Sequence, residues 1–530
     1  MDKESNNRNY SSSDVFGVIG VCGVVGNLVI RVLSDNGFKV AGTDSKAERE
    51  CNFKYTLDDY SIPLYLGGHP ETFYNTSDYI ITPPSLPVES ILHKELKDRT
   101  FKDEFQLIEV EDILRFIKPG KPVLCVTGTN GKTTTVSILK HICRYSGLKP
   151  AEHGFKDLQG NIEYIPPLQC RLNGDVAVLE TGTFGNPGDL GFVIERSQPD
   201  CGIITNITPD HMHDDHDFLK YARIKGEFVD YLKDKKLIVN GDDPTLWGLI
   251  ESKIPDYKDK DIITFGVKSS EELSLKKGVV NNKLCWCGRE IPVMESISGM
   301  GDYKCICGLE KPAIHYLATD IKENSFTLHA KKKVVEVINP LIGLHNIYNI
   351  LGAIAAAFEF FKIPLEKIIS NIESFNGVPG RLDYIGEYQG KTIIVDYAHN
   401  PDGVGTVLQE LKKIYNTIAV VITVSSESGE RGNIAILNKS LDNADYVIPA
   451  SYYSRKVADN LIKKGKSVSD KIILTTTYPK KFKKGTLGAN LEQINQGLET
   501  ALKYDVQAVV CIGEAALKFR EEIRKIVASP

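Results

Sequence analysis

The stretch "PVLCVTGTNGKTTTVSIL", residues 122–139, leaves few architectures open to this chain. An apolar run gives way to glycines, a lysine and threonines, and then to apolar residues at helical spacing, Ile138, Leu139 and Ile142. A continuous apolar run suits a strand covered on both faces, and a glycine turn leading from it into a helix is the entry to a βα unit of a parallel sheet. The backbone N–H groups around Gly128 and Gly131 can face an anion at the start of that helix, where the dipole favours negative charge. Lys132 adds a positive charge, and Thr133 offers a hydroxyl of the kind that reaches Mg²⁺ beside a triphosphate. The spacing is not that of the commonest phosphate loop, G-x-x-x-x-G-K-[ST], because Val126 stands where its first glycine would be.

Similar patterns flank this one. Residues 15–44 read strand, glycine turn, helix, strand; Gly20, Gly23 and Gly26 allow close backbone approach at a helix N-terminus, and Asp44 ends the second strand where a ribose-binding carboxylate often sits. The spacing G-x-x-G-x-x-G departs from the dinucleotide fingerprint, which weakens a nicotinamide oxidoreductase reading and leaves open a βα turn that binds nothing. "FIKPGKPV" at 116–123 and "NGVPGRLDYIG" at 376–386 mark boundaries, and beyond the second the runs "KTIIVDY", "TIAVVITV" and "AVVCIG" predict another parallel sheet. A chain of 530 residues exceeds what one hydrophobic core supports, so several α/β domains are expected.

Composition narrows the partners. A net charge of −5 gives no general attraction to nucleic acid or to an anionic membrane, so the expected partner is a small molecule. The opening "MDKESNNRNYSSSD" reads as a leader without the apolar core of a signal peptide, and the apolar stretch after it is broken by glycines and an asparagine, unlike a membrane span. Most of the 11 cysteines stand alone in apolar runs, the pattern of buried thiols in a reducing, cytoplasmic compartment. Four do not. Cys285, Cys287, Cys305 and Cys307 form two C-x-C-G knuckles, a donor set suited to tetrahedral Zn²⁺ with no position left for water, hence to a structural ion.

The loop "TGTNGKT" resembles that of the Mur ligase superfamily, ATP-dependent enzymes that join a carboxylate to an amine, and further landmarks follow in order: "VLETGTFG" with Glu180, "ITNITPDHMHDD" with His211, "YARIKGEF" with Lys225, "GLHNIYN" with Asn346 and Asn349, "PGRLD" with Arg381, and "VDYAHNPDGV" with Asp396 and His399. The resemblance implies a three-domain α/β architecture: a Rossmann-like domain at 1–119 binding a UDP-linked precursor, a central P-loop ATPase domain at 120–379 with a zinc-ribbon insertion at about 280–312, and a Rossmann-like C-terminal domain at 380–530 that closes on ATP and the amino acid. It implies that Gly128, Thr129, Asn130, Gly131, Lys132, Thr133, Thr134, Asn346, Asn349, Arg381, Asp396 and His399 bind ATP. Lys132, Glu180, His211, Lys225 and Arg381 would serve catalysis, and Thr133, Glu180, His211 and Lys225 would hold Mg²⁺.

An ammonium repels Mg²⁺, so the lysine role carries the further implication, drawn from the same resemblance, that Lys225 is carbamylated; a surface lysine on an amphipathic helix, with Tyr221 and Phe228 inward, is the alternative. For the first domain, similar to that of ligases acting early in peptidoglycan assembly, the implied UDP contacts are Gly20, Gly23, Gly26, Asn27, Asp44 and His69. A tetracysteine ribbon within a Mur ligase middle domain resembles both the archaeal pseudomurein peptide ligases and the MurT-type amide ligases that work with a glutamine amidotransferase. The implied function is therefore addition of an amino acid to a UDP-linked peptide precursor of pseudomurein or peptidoglycan, with the amidotransferase-coupled amide ligase as second reading. A nucleotide-switched binding protein that makes no bond is a third.

Overall fold

The computed structural model describes residues 10–156, 158, 160–183, 185–208, 218–268, 280–297, 299–322, 324–426, 429–463, 469–480 and 488–528. It is an α/β protein, as expected. The chain divides into two compact units. One holds the described residues through Cys125 with Gly147–Thr183 and Asp189–Asp200; the other holds Val126–Ser146, 185–188 and the described residues from Cys201 onward.

In the first unit a five-stranded parallel sheet runs in the order Leu64–Leu66, Lys39–Asp44, Val15–Ile19, Tyr79–Ile81, Gln106–Ile108. The first strand sits mid-sheet, so its apolar residues are covered on both faces; Phe16 and Val18 are buried with Leu28, Ile30 and Leu33 of the helix Val24–Asp35. The glycine turn connects that strand to that helix, as the sequence pattern predicts.

An eight-stranded sheet has the order Lys333–Ile338, Ser325–Ala330, Tyr316–Thr319, Ile262–Val267, Lys236–Asn240, Cys201–Ile204, Val123–Thr127, Ala177–Glu180. Val123–Thr127 is fully buried, which explains its uninterrupted apolar sequence. It delivers the glycine loop to the N-terminus of the helix Lys132–Tyr145, whose Ile138, Leu139 and Ile142 are buried as their spacing predicts. In the second unit this helix packs beside Asn346–Glu359, and helix Phe218–Leu232 buries Tyr221 and Phe228.

The second unit carries two further sheets. Val280–Leu284, Glu290–Ile297 and Met300–Tyr303 form a three-stranded antiparallel ribbon. The last sheet runs Asp383–Tyr388, Lys391–Asp396, Ala508–Ile512, Ile418–Ile422, Tyr446–Pro449; all its pairs are parallel except the first. Its three central strands are the apolar runs that predicted a covered parallel sheet. No described helix is long and apolar enough to cross a membrane.

Candidate functional site

The glycine loop is shaped by residues far from it in sequence. Gly131, the N-cap of helix Lys132–Tyr145, has φ +84°, and a Cβ there would lie 2.2 Å from Asn349 Oδ1. At Gly128, φ +143°, a Cβ would lie 2.0 Å from Thr205 Oγ1. Both glycines are thus required by backbone conformation and by close approach.

Asn206 clamps the loop between them. Its carbonyl accepts the Thr129 N–H at 2.9 Å, its Oδ1 accepts the Asn130 N–H at 3.0 Å, and its Nδ2 donates to the Asn130 carbonyl at 3.0 Å. Thr208 continues the clamp, its N–H donating to Thr129 Oγ1 at 3.0 Å. Thr129 is therefore occupied in holding the loop and is nearly buried. The Asn130 side chain accepts from Asn400 Nδ2 at 3.0 Å, the N-cap of helix Pro401–Ile414.

Lys132 and Thr133 lie at the head of the helix. The Lys132 ammonium donates to the carbonyls of Gly128 and Thr129 at 3.0 and 2.8 Å, folded back over the loop it would serve. Thr133 Oγ1 accepts from Arg381 Nη2 at 3.0 Å, and the Arg381 guanidinium lies over the Tyr397 ring, 4.5 Å from its centroid. Thr134 is buried on the inner face of the helix. Asn349 Nδ2 donates to Asn346 Oδ1 at 2.8 Å, and Asn349 Oδ1 accepts from Thr135 Oγ1 at 3.4 Å, so this asparagine pair braces the loop.

Asp396 accepts the N–H groups of Leu382 and Ala398, each at 2.7 Å, and so fixes the turn that carries Arg381. Burial pushes its carboxyl above the usual range, opposed by the positive charge of Arg381. His399 Nδ1 lies 3.3 Å from the Tyr397 carbonyl. Thus Lys132, Thr133, Arg381, Asn346, Asn349, Asp396 and His399 all belong to the second unit, several in direct contact. Lys225, on the Phe218–Leu232 helix, is 3% exposed, with its nitrogen 5.7 Å from the Tyr221 ring centroid. It is not the solvated lysine of the alternative reading. His211 lies outside the described residues.

Glu180 ends its strand in the first unit, half-buried, and Oε1 accepts from Asn161 Nδ2 at 2.9 Å. Sequence reading missed this partner, because nothing local marks Asn161. At the other glycine turn, Asp44 accepts from the Cys22 and Lys46 N–H groups, each at 2.9 Å, so both carboxylate oxygens shape the turn. Asn27 is fully buried, receiving the Thr56 hydroxyl at 2.9 Å, and His69 Nδ1 is 3.1 Å from Thr43 Oγ1. Gly26 packs against Gly20, where an added Cβ would be 2.3 Å from its carbonyl oxygen; Gly23 N-caps the helix.

One expectation is corrected here. The reading of most cysteines as buried thiols does not extend to Cys22 and Cys51, which form a disulfide with their Cα atoms 4.7 Å apart. The other nine cysteines are free of disulfides.

The four predicted zinc ligands converge. Their sulfurs lie within 4.8 Å of one another, with Cys285 and Cys307 at 3.4 Å and Cys287 and Cys305 at 3.8 Å. Four sulfurs about 2.3 Å from a central zinc would be separated by about 3.8 Å, so the set fits tetrahedral Zn²⁺. The two knuckles repeat one design: Cys285 N–H donates to Arg289 and Gly288 N–H returns to Cys285, while Cys305 pairs with Leu309 and Gly308 in the same way. The Leu309 N–H and the Cys305 thiol draw the Cys307 thiol down to about 7, whereas burial raises that of Cys285.

His345, the N-cap of helix Asn346–Glu359, is partly buried, and its Nδ1 is enclosed with no hydrogen-bond partner among the described residues. Burial pushes the imidazole down to about 4, against the pull of the Glu410 carboxylate. The unfolded histidine binds a proton more readily than the folded one, so its contribution is full above the ordinary histidine range and is lost as pH falls towards 4. The expected loss from this residue is about 3 kcal/mol between neutral pH and pH 4. Denaturant unfolding of His345→Asn against the parent should show a shallower fall over that window; equal slopes would contradict it.

The fold and loop define the class: an α/β protein built on a strand, glycine loop and helix phosphate cradle. The family description "Mur ligase middle domain" matches residues 126–357, and "Mur ligase, glutamate ligase domain" matches 380–514. The structure is similar to that of a pseudomurein peptide ligase type C from Methanothermus fervidus, with a TM-score of 0.82 and 36% identity, covering 97% of this chain and 100% of that one. Among relatives, the UDP-N-acetylmuramoylalanine–D-glutamate ligase of Caldanaerobacter subterraneus is 28% identical over 400 residues, 74% of this chain and 73% of that protein. The UDP-N-acetylmuramate–L-alanine ligase of Alkaliphilus metalliredigens is 25% identical over 455 residues, 83% and 84%. The chain belongs to the Mur ligase family and is an ATP-dependent ligase that forms a C–N bond.

Proposed function

We propose that this ligase adds an amino acid to a UDP-linked peptide precursor of a cell-wall polymer, pseudomurein or peptidoglycan, through an acyl-phosphate intermediate in the cytoplasm. The observation that carries the reading is the phosphate cradle, whose Lys132 lies folded over the loop and whose Thr133 meets Arg381, while Asn206 holds the loop backbone, Asn400 bonds the Asn130 side chain and Asn349 lies against Gly131. The pseudomurein ligase similarity, over nearly all of both chains, supports the polymer class.

In this reading the loop amides of 128–133 and Lys132 hold the triphosphate, and Asn346, Asn349, Asp396 and His399 position the nucleoside end. Lys132 and Arg381 neutralise charge as the terminal phosphoryl passes to a precursor carboxylate; the amine then displaces phosphate and leaves an amide. Thr133, Glu180 and His211 supply hard or borderline donors suited to Mg²⁺, which when bound screens the phosphate charge. An unmodified Lys225 ammonium does not suit that ion. Its carbamate would, and a buried lysine gains from losing its positive charge. Gly20, Gly23, Gly26, Asn27, Asp44 and His69 are proposed for the UDP group, with domains at 1–119, 120–379 and 380–530.

The tetracysteine cluster is proposed as a structural zinc site. Metal analysis should find about one zinc ion per chain, and Cys305→Ala should lose it and lower the unfolding temperature. A metal-free protein of unchanged stability would contradict this. The test of function is incubation with ATP, Mg²⁺ and a panel of amino acids against UDP-N-acetylmuramate, its alanyl and alanyl-glutamyl extensions, and UDP-linked pseudomurein precursors, reading product masses. A product heavier by one amino acid residue, dependent on ATP, is expected. A product whose carboxyl has become a carboxamide, with ammonia gained and water lost, made with a glutaminase partner, would favour the amide ligase; ATP hydrolysis without a product would favour a nucleotide-driven switch.

A further inference from the structure

The tetracysteine ribbon reaches the segment behind the phosphate loop through a buried ion pair. Lys283, two residues before Cys285 on strand Val280–Leu284, has a side chain 0% exposed, as has Asp243, and its ammonium donates to Asp243 Oδ2 at 2.9 Å. The same ammonium donates to the Ile207 carbonyl at 2.8 Å, while Asp243 Oδ2 accepts the Ile207 N–H at 2.7 Å. Both backbone polar groups of Ile207 are thus held by one pair. Ile207 lies between Asn206 and Thr208, the two residues that clamp Thr129 and Asn130 of the phosphate loop.

Other contacts fix this end of the ribbon. Asp243 Oδ1 caps helix Pro244–Lys253 through the N–H groups of Thr245 and Leu246, and Thr245 Oγ1 donates to the Leu284 carbonyl at 2.7 Å. The Arg223 guanidinium of the Lys225 helix lies 5.7 Å from the centroid of Trp286, between the first two cysteines.

A wholly buried ion pair adds little stability over an apolar pair of similar volume, but removing one partner strands the other's charge, so each is held where the other can satisfy it. Here the geometry fixed is that of the segment supporting the phosphate cradle.

We infer that Lys283 is a positioning residue for nucleotide binding: through Asp243 and Ile207 it makes the tetracysteine ribbon a brace of the 128–133 loop. The inference rests on that loop taking a nucleotide phosphate. Its effect is therefore expected on nucleotide affinity and not on recognition of the UDP group.

The test compares the full-length parent, Lys283→Met and the double variant Lys283→Met, Asp243→Asn, by calorimetric titration with Mg·ADP and, separately, with UDP-N-acetylmuramate, alongside thermal unfolding. Lys283→Met strands a buried carboxylate and should be destabilised. The double variant removes both charges and should recover part of the unfolding temperature, yet it leaves the Ile207 carbonyl without its ammonium donor and replaces one of the two Asp243 acceptor oxygens, which take the Ile207 N–H and the helix-cap N–H groups, by an amide nitrogen. Its dissociation constant for Mg·ADP is expected to rise by roughly tenfold or more, as for other groups that orient a binding residue, with binding of the UDP compound unchanged.

A folded double variant that binds Mg·ADP like the parent overturns the inference and leaves the proposed function standing. Equal weakening for both ligands also overturns it, assigning Lys283 a general structural role. A parent protein that does not bind Mg·ADP overturns both.

Discussion

Lys132→Met should lower kcat/KM for ATP by about a thousandfold while leaving the fold intact, since removal of one charge-stabilising group at a phosphoryl-transfer centre typically has an effect of that size. The side chain donates to the carbonyls of Gly128 and Thr129, so the ammonium is tethered over the cradle, near where a terminal phosphate would sit against the loop amides. Loop shape does not rest on it alone. Asn206 holds the backbone of Thr129 and Asn130, Thr208 holds the Thr129 hydroxyl, and Gly128 and Gly131 allow the loop conformation. The variant should therefore unfold at a temperature close to the parent's and still bind a UDP-linked precursor. Steady-state kinetics with a melting curve checks this. An active Lys132→Met protein would remove the lysine from catalysis, and an unfolded one would show its role to be structural.

The second large effect is expected at Lys225. Lys225→Ala should lower kcat by about a hundredfold or more, the size associated with losing a group that holds a catalytic ion, and short carboxylic acids such as formate or acetate should restore part of the rate. A lysine with 3% of its surface exposed on a helix otherwise packed through Tyr221 and Phe228 needs a reason to be inside, and conversion to a carbamate turns it into an oxygen donor of opposite charge. Truncation to alanine opens space that a small carboxylate can fill with the same donor atoms. Rates measured across an acid titration decide the matter. Full activity of Lys225→Ala without added acid contradicts the assignment; a reduced rate indifferent to acid assigns the loss to packing.

The parts of this site legible in the sequence are those whose chemistry is local. "TGTNGKTTT" follows an apolar strand and opens a helix, so the cradle is specified within about a dozen residues, and the C-x-C-G knuckles carry both ligands and turn glycines side by side. The rest depends on pairing at long range. Arg381 and Thr133 meet across 248 positions, Asn400 and Asn130 across 270, and no periodicity announces either contact. Arg381 could be named only through ordered resemblance.

Lys283 was invisible for a different reason. In sequence it is one of many lysines in a polar stretch, and only the fold shows that its ammonium is enclosed with Asp243. The Cys22–Cys51 disulfide was not legible either, because spacing cannot say which of eleven cysteines come within bonding range.

The central claim is chemical: a precursor carboxylate takes the terminal phosphoryl group before the amine arrives. The direct measurement uses the UDP-linked precursor chosen by the product-mass panel, its carboxylate enriched in heavy oxygen, with ATP, Mg²⁺ and the matching amino acid, and reads the mass of the released phosphate. An acyl phosphate requires that the phosphate leave with one heavy oxygen taken from the carboxylate. Amide formation accompanied only by unlabelled phosphate would contradict the account.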